Sequence, residues 1–264
     1  MTDDPAAFLR RQPRPDSAST PLVPPIEPSV VYRVAGTDAM DALYEGGASG
    51  YTYAREGHPN WTRLAAALDA MEGTEGGVVT GSGMAAVAAV FLATLARGDH
   101  VLASTQLYGR SLRLLQRELP RMGVAVEFRD PTDAPAWAAA LRPETRLMLV
   151  EVVANPTIRV ADMAGIAALA QERGVPLAVD NTFTTPALYR PLAEGADIVI
   201  ESVTKMLAGH SDVTLGYAAA RDPSLAERLR DVVVSWGLTP SPFDCWLAER
   251  GLLTFGLRLE RAEA

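Results

Sequence analysis

The chain contains only one cysteine, Cys245, and three histidines among its 264 residues. A single cysteine excludes an internal disulfide bond and is typical of proteins kept in a reducing cytoplasm. With so few thiol and imidazole ligands, the sequence offers no His/Cys cluster of the kind that holds zinc. These absences predict a cytoplasmic protein without a metal site.

The chain also lacks an excess of positive charge and a long apolar run. Its 24 basic and 32 acidic residues give a formal net charge of −8, which argues against a nucleic-acid-binding surface. No uninterrupted apolar stretch approaches the roughly 20 residues of a membrane span. The polar, proline-bearing N-terminus contains no apolar signal core. We therefore expect neither a nucleic acid nor a membrane as a partner.

Short apolar strand patterns such as HVLAS alternate with helical patterns over most of the chain. This alternation predicts an α/β fold with a mostly parallel sheet and helices on both faces. In such sheets, ligands bind beyond the carboxyl ends of the strands. The loops at those ends follow Val79, Ser104, Val153, Val179 and Ser202. We expect the functional residues in these loops.

Lys205 and Asp180 end two of the buried strand patterns, ADIVIESVTK and LAVD. Alone, such a lysine is usually a solvated surface charge, and such an aspartate is a helix cap or a turn residue. Together they fit pyridoxal 5'-phosphate (PLP), which needs an amine for its aldehyde and a carboxylate for its ring nitrogen. An inward-facing, desolvated lysine has a lowered pKa and is a competent Schiff-base nucleophile. The pair predicts a PLP enzyme.

The glycine turn GSGM at residues 81–84 lies between a strand and a long helix. Unpaired N–H groups and partial positive charge make a helix N-terminus a phosphate site. The longer segment GSGMAA also matches the dinucleotide fingerprint G-x-G-x-x-A, which expects an acid at the end of the next strand. That strand ends at Ser104 without one. A nicotinamide-dependent oxidoreductase is therefore a remote alternative.

Three further motifs carry residues that suit a flat, phosphorylated cofactor. Tyr108 is either an ordinary packed aromatic or a ring that stacks on the cofactor. Asn155 is either a turn residue before proline or a donor to the cofactor's phenolic oxygen. Tyr53 and Arg55 resemble a solvated edge, yet an arginine fork beside a hydroxyl also suits a phosphate.

The chain resembles the Cys/Met-metabolism PLP enzymes, a family that includes cystathionine γ-synthase, cystathionine γ- and β-lyase, methionine γ-lyase and O-acetylhomoserine sulfhydrylase. The resemblance runs from about Pro21 to the last residue. It is carried by YTYAREGHPN, TGSGMAAV, QLYGRS, VEVVANPT, AVDNTFTTP and ESVTKMLAGHSDVTLG. It implies a PLP-dependent transferase type I fold, like that of aspartate aminotransferase. It also implies elimination or replacement at Cβ or Cγ of sulfur amino acids or activated homoserine.

The resemblance implies roles for individual residues. Lys205 would be the Schiff-base lysine, Asp180 the partner of the pyridinium and Tyr108 the stacking ring, and these three are the candidate catalytic residues. The other cofactor-binding candidates in the same subunit are Gly83, Met84, Ser202, Thr204 and Asn155. Tyr53 and Arg55 would reach the phosphate of a neighbouring subunit, which implies a homodimer or homotetramer with shared active sites.

The resemblance also divides the chain into three parts. Residues 1–57 would form an extended arm that contributes to the neighbouring subunit, and residues 58–240 would form the large PLP-binding domain. Residues 241–264 would begin a C-terminal small domain that is largely absent. In the family, that domain carries the arginine that binds the substrate's α-carboxylate. A PLP-binding fragment with little or no turnover is therefore the second hypothesis.

Two departures from the family's pattern lie beside the candidate lysine. Glu201 stands where the family typically has histidine, and Met206 stands where a tyrosine is common. Neither departure removes a candidate catalytic group.

Overall fold

A computed structural model describes residues 17–264, so the first sixteen residues of the expected arm lie outside the described residues. Seven strands form one sheet. They are β1 (Val78–Thr80), β2 (His100–Ser104), β3 (Ala125–Arg129), β4 (Thr145–Glu151), β5 (Leu177–Asp180), β6 (Ile198–Glu201) and β7 (Gly216–Ala220). Each falls on a strand pattern in the sequence.

Helices alternate with these strands along the chain. They are α1 (Thr37–Tyr44), α2 (Pro59–Glu72), α3 (Gly83–Thr94), α4 (Gly109–Arg113), α5 (Ala134–Ala140), α6 (Met163–Arg173), α7 (Thr185–Leu188), α8 (Pro223–Ser235), α9 (Pro242–Leu252) and α10 (Phe255–Glu263). A π-helical turn (Leu114–Glu118) continues α4. Side-chain caps at Ser82, Asp162 and Asp222 set the first residues of α3, α6 and α8.

The strand order in the sheet is β1-β7-β6-β5-β4-β2-β3. Only β7 is antiparallel to its neighbours, and the other pairings are parallel. The prediction of a mostly parallel sheet is therefore confirmed. The parallel strands β2, β4, β5 and β6 place their carboxyl ends along one edge, which gathers the loops that follow them.

The hydrophobic core covers both faces of the sheet. Alternate residues of β2 point in opposite directions: Val101 belongs to the larger cluster, with α3 and α8, and Leu102 belongs to the smaller one. Trp137 of α5 and Ile166 of α6 are fully buried in that smaller cluster. This two-sided burial confirms the predicted helices on both faces.

The sheet topology contradicts the dinucleotide alternative. In the dinucleotide fold, the glycine turn joins neighbouring parallel strands, so the phosphate and the ribose share one crevice. Here the helix after the glycine turn joins β1 to β2, and four strands separate these two in the sheet. The strands β1 and β2 are therefore not the adjacent pair of parallel strands that the dinucleotide fingerprint requires.

The part of the expected arm that the structure describes is not wholly extended. Thr37–Tyr44 forms the two-turn helix α1, with no fully buried residue. Met40 and Leu43 are partly buried on one side of it. The prediction of an extended chain is wrong here, because a helix this short presents too few apolar residues to show a period.

The last helices pack against the main body. Cys245 and Ala248 of α9 and Phe255 of α10 are buried in the larger cluster. Trp246 donates a hydrogen bond from Nε1 to the carbonyl of Pro24, 2.8 Å away. The assignment of residues 241–264 to the start of a further domain stays a prediction. Within residues 17–264, no helix combines the length and apolar character needed to cross a bilayer.

Candidate active site

A cavity of about 190 Å³ lies at the carboxyl ends of the strands. The loops that follow β1, β2, β4, β5 and β6 form its wall, as predicted from the sequence. Eight of the ten candidate residues line it: Gly83, Met84, Tyr108, Asn155, Asp180, Ser202, Thr204 and Lys205. The fold therefore brings together residues that are up to 122 positions apart in the sequence.

One end of the cavity is formed by the N-terminus of α3. Ser82 caps this helix: its Oγ accepts the N–H of Ala85 at 3.0 Å, and its carbonyl accepts that of Ala86 at 3.1 Å. The N–H groups of Gly83 and Met84 have no acceptor among residues 17–264. Two free amides and a helix dipole suit a phosphate group.

Gly83 allows α3 to approach the loop after β6. A Cβ at this position would lie 2.8 Å from the Cβ and Oγ of Ser202. Only glycine fits this contact, so the Ser202 hydroxyl lies beside the helix N-terminus. Thr204 differs, because its hydroxyl already donates to the carbonyl of Leu215 and accepts the N–H of Leu215, both at 3.0 Å. The single hydroxyl proton of Thr204 is therefore already donated within the loop and is not available to a phosphate.

Asp180 also lies in the cavity wall, at the end of β5. Its Oδ1 accepts the N–H of Thr182 at 3.1 Å and the Thr182 hydroxyl at 2.6 Å. Burial raises the pKa of Asp180, and the two bonds from Thr182 lower it. A desolvated carboxylate of this kind is stabilised by a nearby cation, as a protonated ring nitrogen would be. The donors at α3 and the acid at β5 therefore fit the two ends of PLP.

The sequence analysis did not select Glu151, which also lines the cavity. Glu151 and Asp180 are paired in the β4–β5 register, so their side chains lie on the same side of the sheet. The Oε2 atom of Glu151 accepts the N–H of Tyr108 at 2.8 Å and thereby holds the loop that carries this ring. Burial, reinforced by the charge of Asp180, raises the pKa of Glu151 to about 8.

Thr182 is the second residue that the sequence analysis missed. Besides its bonds to Asp180, its Oγ1 accepts the N–H of Ser202 at 2.9 Å. One threonine thus connects the acid of β5 to the loop of β6. Its place two residues after Asp180 is the only signal in the sequence, because such a threonine commonly forms a local turn with the aspartate.

Lys205 lies in the turn after β6, where it lines the cavity and is exposed to solvent. The expected desolvated amine is therefore not observed, because the turn lies beyond the end of the buried strand. Its own N–H donates to the carbonyl of Ser202 at 3.0 Å, and its carbonyl accepts the N–H of Gly209 at 2.9 Å. Lys205 is also the only lysine in the 264 residues, a strong signal in the sequence.

Tyr53 and Arg55 do not line the cavity. The Nη1 atom of Arg55 donates to the carbonyl of Val234 in α8 at 3.0 Å. Its guanidinium carbon lies 5.3 Å from the centre of the Tyr53 ring. Both side chains are exposed. Their role toward the phosphate of a neighbouring subunit stays a prediction.

Comparisons with known proteins match the chain to one family. The family model described as "Cys/Met metabolism PLP-dependent enzyme" matches residues 6–264. A cystathionine beta-lyase from Bacillus subtilis is 41% identical over 234 residues, which are 89% of this chain and 59% of that protein. A probable cystathionine gamma-synthase from Herpetosiphon aurantiacus is 36% identical over 94% of this chain and 75% of its own length.

Solved structures show the same fold. The crystal structure of cystathionine gamma synthase from Xanthomonas oryzae pv. oryzae in complex with cystathionine matches with a TM-score of 0.85 and 37% sequence identity. The match covers 92% of this chain and 60% of that one. The predicted fold of a PLP-dependent transferase is thereby confirmed. The chain spans 59%, 75% and 56% of the first three curated relatives.

Proposed function

Because this chain belongs to the family of Cys/Met metabolism PLP-dependent enzymes, we propose that it binds pyridoxal 5'-phosphate in the cavity at the carboxyl ends of the strands. One observation carries the proposal: the only lysine of the chain lies in the same cavity wall as Asp180 and the N-terminus of α3. These groups match an aldehyde, a ring nitrogen and a phosphate.

In this proposal, each polar group of the cavity wall has a separate role. The amides of Gly83 and Met84 and the Ser202 hydroxyl bind the phosphate, and the Asp180 carboxylate stabilises the positive charge of the ring nitrogen. When bound, the cofactor supplies the electron sink for the charge left on the substrate's α-carbon. The Nζ atom of Lys205 would hold the cofactor through its aldehyde carbon, and as a free amine it would take and return the α-proton.

Two side chains on the β2 and β4 loops complete this assignment. The ring of Tyr108 stacks on the cofactor, on a loop that the carboxyl group of Glu151 holds in place. The side-chain amide of Asn155 donates to the cofactor's phenolic oxygen. Both residues lie in the cavity wall.

We propose that the reaction is of the transsulfuration type, an elimination or replacement at Cβ or Cγ of a sulfur amino acid or an activated homoserine. The names of the relatives support this class: cystathionine beta-lyase, cystathionine gamma-lyase and O-succinylhomoserine sulfhydrylase are each 37% to 41% identical to the chain. The second candidate is a PLP-binding polypeptide with little or no turnover. This candidate is considered because the chain spans only 59% of the length of the cystathionine beta-lyase.

We also propose a homodimer or homotetramer in which Tyr53 and Arg55 reach the phosphate of a neighbouring subunit. Their exposed side chains and their position outside the cavity support this assignment. Cytoplasmic localisation is part of the same proposal, supported by the single, buried Cys245.

The cofactor site is tested by borohydride reduction of the chain with bound PLP, followed by intact-mass analysis. Because Lys205 is the only lysine, one added cofactor per chain is expected, and Lys205→Ala should carry none. Lys205→Arg is a matched control that keeps the positive charge. Equal labelling of the parent chain and Lys205→Ala would place the adduct on the α-amino group and refute the site.

Turnover separates the two candidate functions. We expect release of a 2-oxo acid when the chain with bound cofactor is incubated with cystathionine, or formation of cystathionine and a free carboxylic acid when it is incubated with an O-acylated homoserine and cysteine. A chain that gives the single Lys205 adduct but no product would establish the PLP-binding polypeptide instead.

A further inference from the structure

Arg258 of α10 donates hydrogen bonds to the backbone that follows Lys205. Its Nη1 atom donates to the carbonyl of Met206 at 2.5 Å, and its Nη2 atom donates to the carbonyl of Leu207 at 2.9 Å. The same Nη2 atom donates to the carbonyl of Gly251 at 3.0 Å. One guanidinium thus connects the end of α9 to the two residues that follow the lysine.

Two glycines allow these close contacts. A Cβ at Gly209 would lie 1.8 Å from the Nη1 atom of Arg258. A Cβ at Gly251 would lie 2.2 Å from the carbonyl oxygen of Ala208. The turn from Lys205 to Gly209 therefore packs closely against both the backbone of α9 and the guanidinium of Arg258. Substitution at either glycine has to displace one of these contacts.

The charge of Arg258 is not used in an ion pair among residues 17–264. Partial burial lowers the pKa of its guanidinium. Taking a cation out of water is unfavourable unless its donors are satisfied, and here backbone carbonyls and the Thr254 hydroxyl satisfy them. The flat, five-donor fork can bond two adjacent carbonyls at once, which an ammonium group cannot do in the same geometry.

We infer that Arg258 is a positioning residue for Lys205: by holding the carbonyls of Met206 and Leu207, it fixes the turn that directs Nζ of Lys205 into the cavity. This inference rests on the proposed function. Lys205 is exposed and lies in a turn outside the strand, so the packing of the strand does not fix its direction. The hydrogen bonds from α10 provide that constraint.

The test compares two steps of cofactor binding in the full chain. Arg258→Met should slow the formation of the Lys205 adduct with PLP by roughly 10- to 100-fold, because a small misplacement of a reacting group lowers its rate by factors of that order. The adduct is trapped with borohydride and quantified by intact-mass analysis. In a Lys205→Ala background, Arg258→Met should leave the affinity for PLP unchanged, because that binding depends on α3, Ser202 and Asp180.

Two further variants give the controls. Arg261→Met removes an exposed arginine from the same helix and should react like the parent chain. Arg258→Lys keeps the charge but not the fork, so its rate should lie between those of the parent and Arg258→Met. If Arg258→Met does not fold, comparison of Arg258→Lys with the parent chain still tests the inference.

A double-mutant cycle with Gly209→Ala tests the contact itself. The added methyl group displaces the guanidinium and also strains a backbone with a φ of 72°, so Gly209→Ala should slow adduct formation, and adding Arg258→Met to it should cost less than Arg258→Met costs in the parent. Additive losses would contradict a shared mechanism.

Two results would overturn the inference alone: a parent-like rate of adduct formation in both Arg258 variants, or a weaker affinity for PLP when Arg258→Met is added to Lys205→Ala. The latter would show that Arg258 supports the whole cavity. Absence of the adduct in the parent chain would overturn the proposed function, and this inference with it.

Discussion

Glu151 and Asp180 show how the protein accommodates two carboxyl groups side by side in one wall. Two neighbouring carboxylates in a poorly solvated site do not both ionise readily, so at least one retains its proton near neutral pH. Burial and the charge of Asp180 raise the pKa of Glu151 to about 8, which favours its protonated form near neutral pH. Asp180 receives two hydrogen bonds from Thr182, which favour its charged form. Burial nevertheless raises the pKa of Asp180 overall, so a cation at the position of the ring nitrogen would be needed to stabilise its charged form.

The raised pKa of Glu151 predicts pH-dependent stability of the chain without added cofactor. Folding raises this pKa from 4.5 to about 8, so the folded chain binds the proton more tightly than the unfolded chain does. The resulting stabilisation is fully present below about pH 4.5 and is lost as the pH rises through about 8. Glu151→Gln should flatten this loss between about pH 6 and pH 9 in urea unfolding. An unchanged slope would contradict the assignment.

Thr182 offers a test at the level of one hydroxyl group. Thr182→Val keeps the shape but removes the donor to Asp180 and the acceptor for the Ser202 N–H. We expect the affinity for PLP, measured by fluorescence titration, to fall by about 10-fold, the equivalent of roughly 1.4 kcal/mol. Thr182→Ser retains the hydroxyl and should bind nearly as well as the parent. Equal losses in both variants would show that the methyl group matters instead.

At the scale of elements, a buried acid pair connects α2 to β6. Glu72 and Glu201 are both buried, and neither oxygen of Glu72 has a donor among the described residues. Asn181 donates from Nδ2 to Glu201 at 3.0 Å and to the carbonyl of Tyr189 at 2.9 Å. Burial raises the pKa of both acids, that of Glu72 to about 7. We propose that the two acids share one proton, at a position where the family typically has histidine.

Because their pKa values are raised on folding, the stabilisation from this pair is present at low pH and is lost as the pH rises through about 7. Glu201→Gln replaces one acid with an amide that can donate to Glu72 without titrating. We expect the free energy of unfolding at about pH 8.5 to rise by about 1 to 2 kcal/mol. Glu72→Gln is the matched variant and should behave similarly. A loss of stability in either variant at this pH would contradict the shared proton.

At the scale of the whole molecule, the proposed oligomer predicts complementation between inactive sites. Arg55→Ala should weaken PLP binding in the partner's cavity, and Lys205→Ala cannot form the adduct. In an equal mixture of the two variants, about half of the lysine-bearing chains pair with a partner that retains Arg55. At low PLP concentration, the reduced adduct should therefore recover to about half of the parent level per lysine-bearing chain, which is about a quarter of it per total chain. Adduct equal to that of Arg55→Ala alone would contradict shared sites.

The sequence by itself determined the order of strands and helices, the mostly parallel sheet and the loops that carry Lys205 and Asp180. These features depend on local periodicity and on the rule that strand ends meet at one edge, so neighbours in the chain suffice to predict them. The identity of the lysine is likewise a property of the sequence, because Lys205 is the only one present.

Only the tertiary structure decided which residues meet. Glu151 and Asp180 meet because their strands are neighbours in the sheet. Thr182 contacts Ser202, 20 residues further along the chain, and Arg258 contacts Met206, which is 52 residues away. The separation of β1 from β2 likewise excluded a dinucleotide site that the local motif allowed. Such contacts depend on strand order, register and helix packing, and local sequence patterns do not encode them individually.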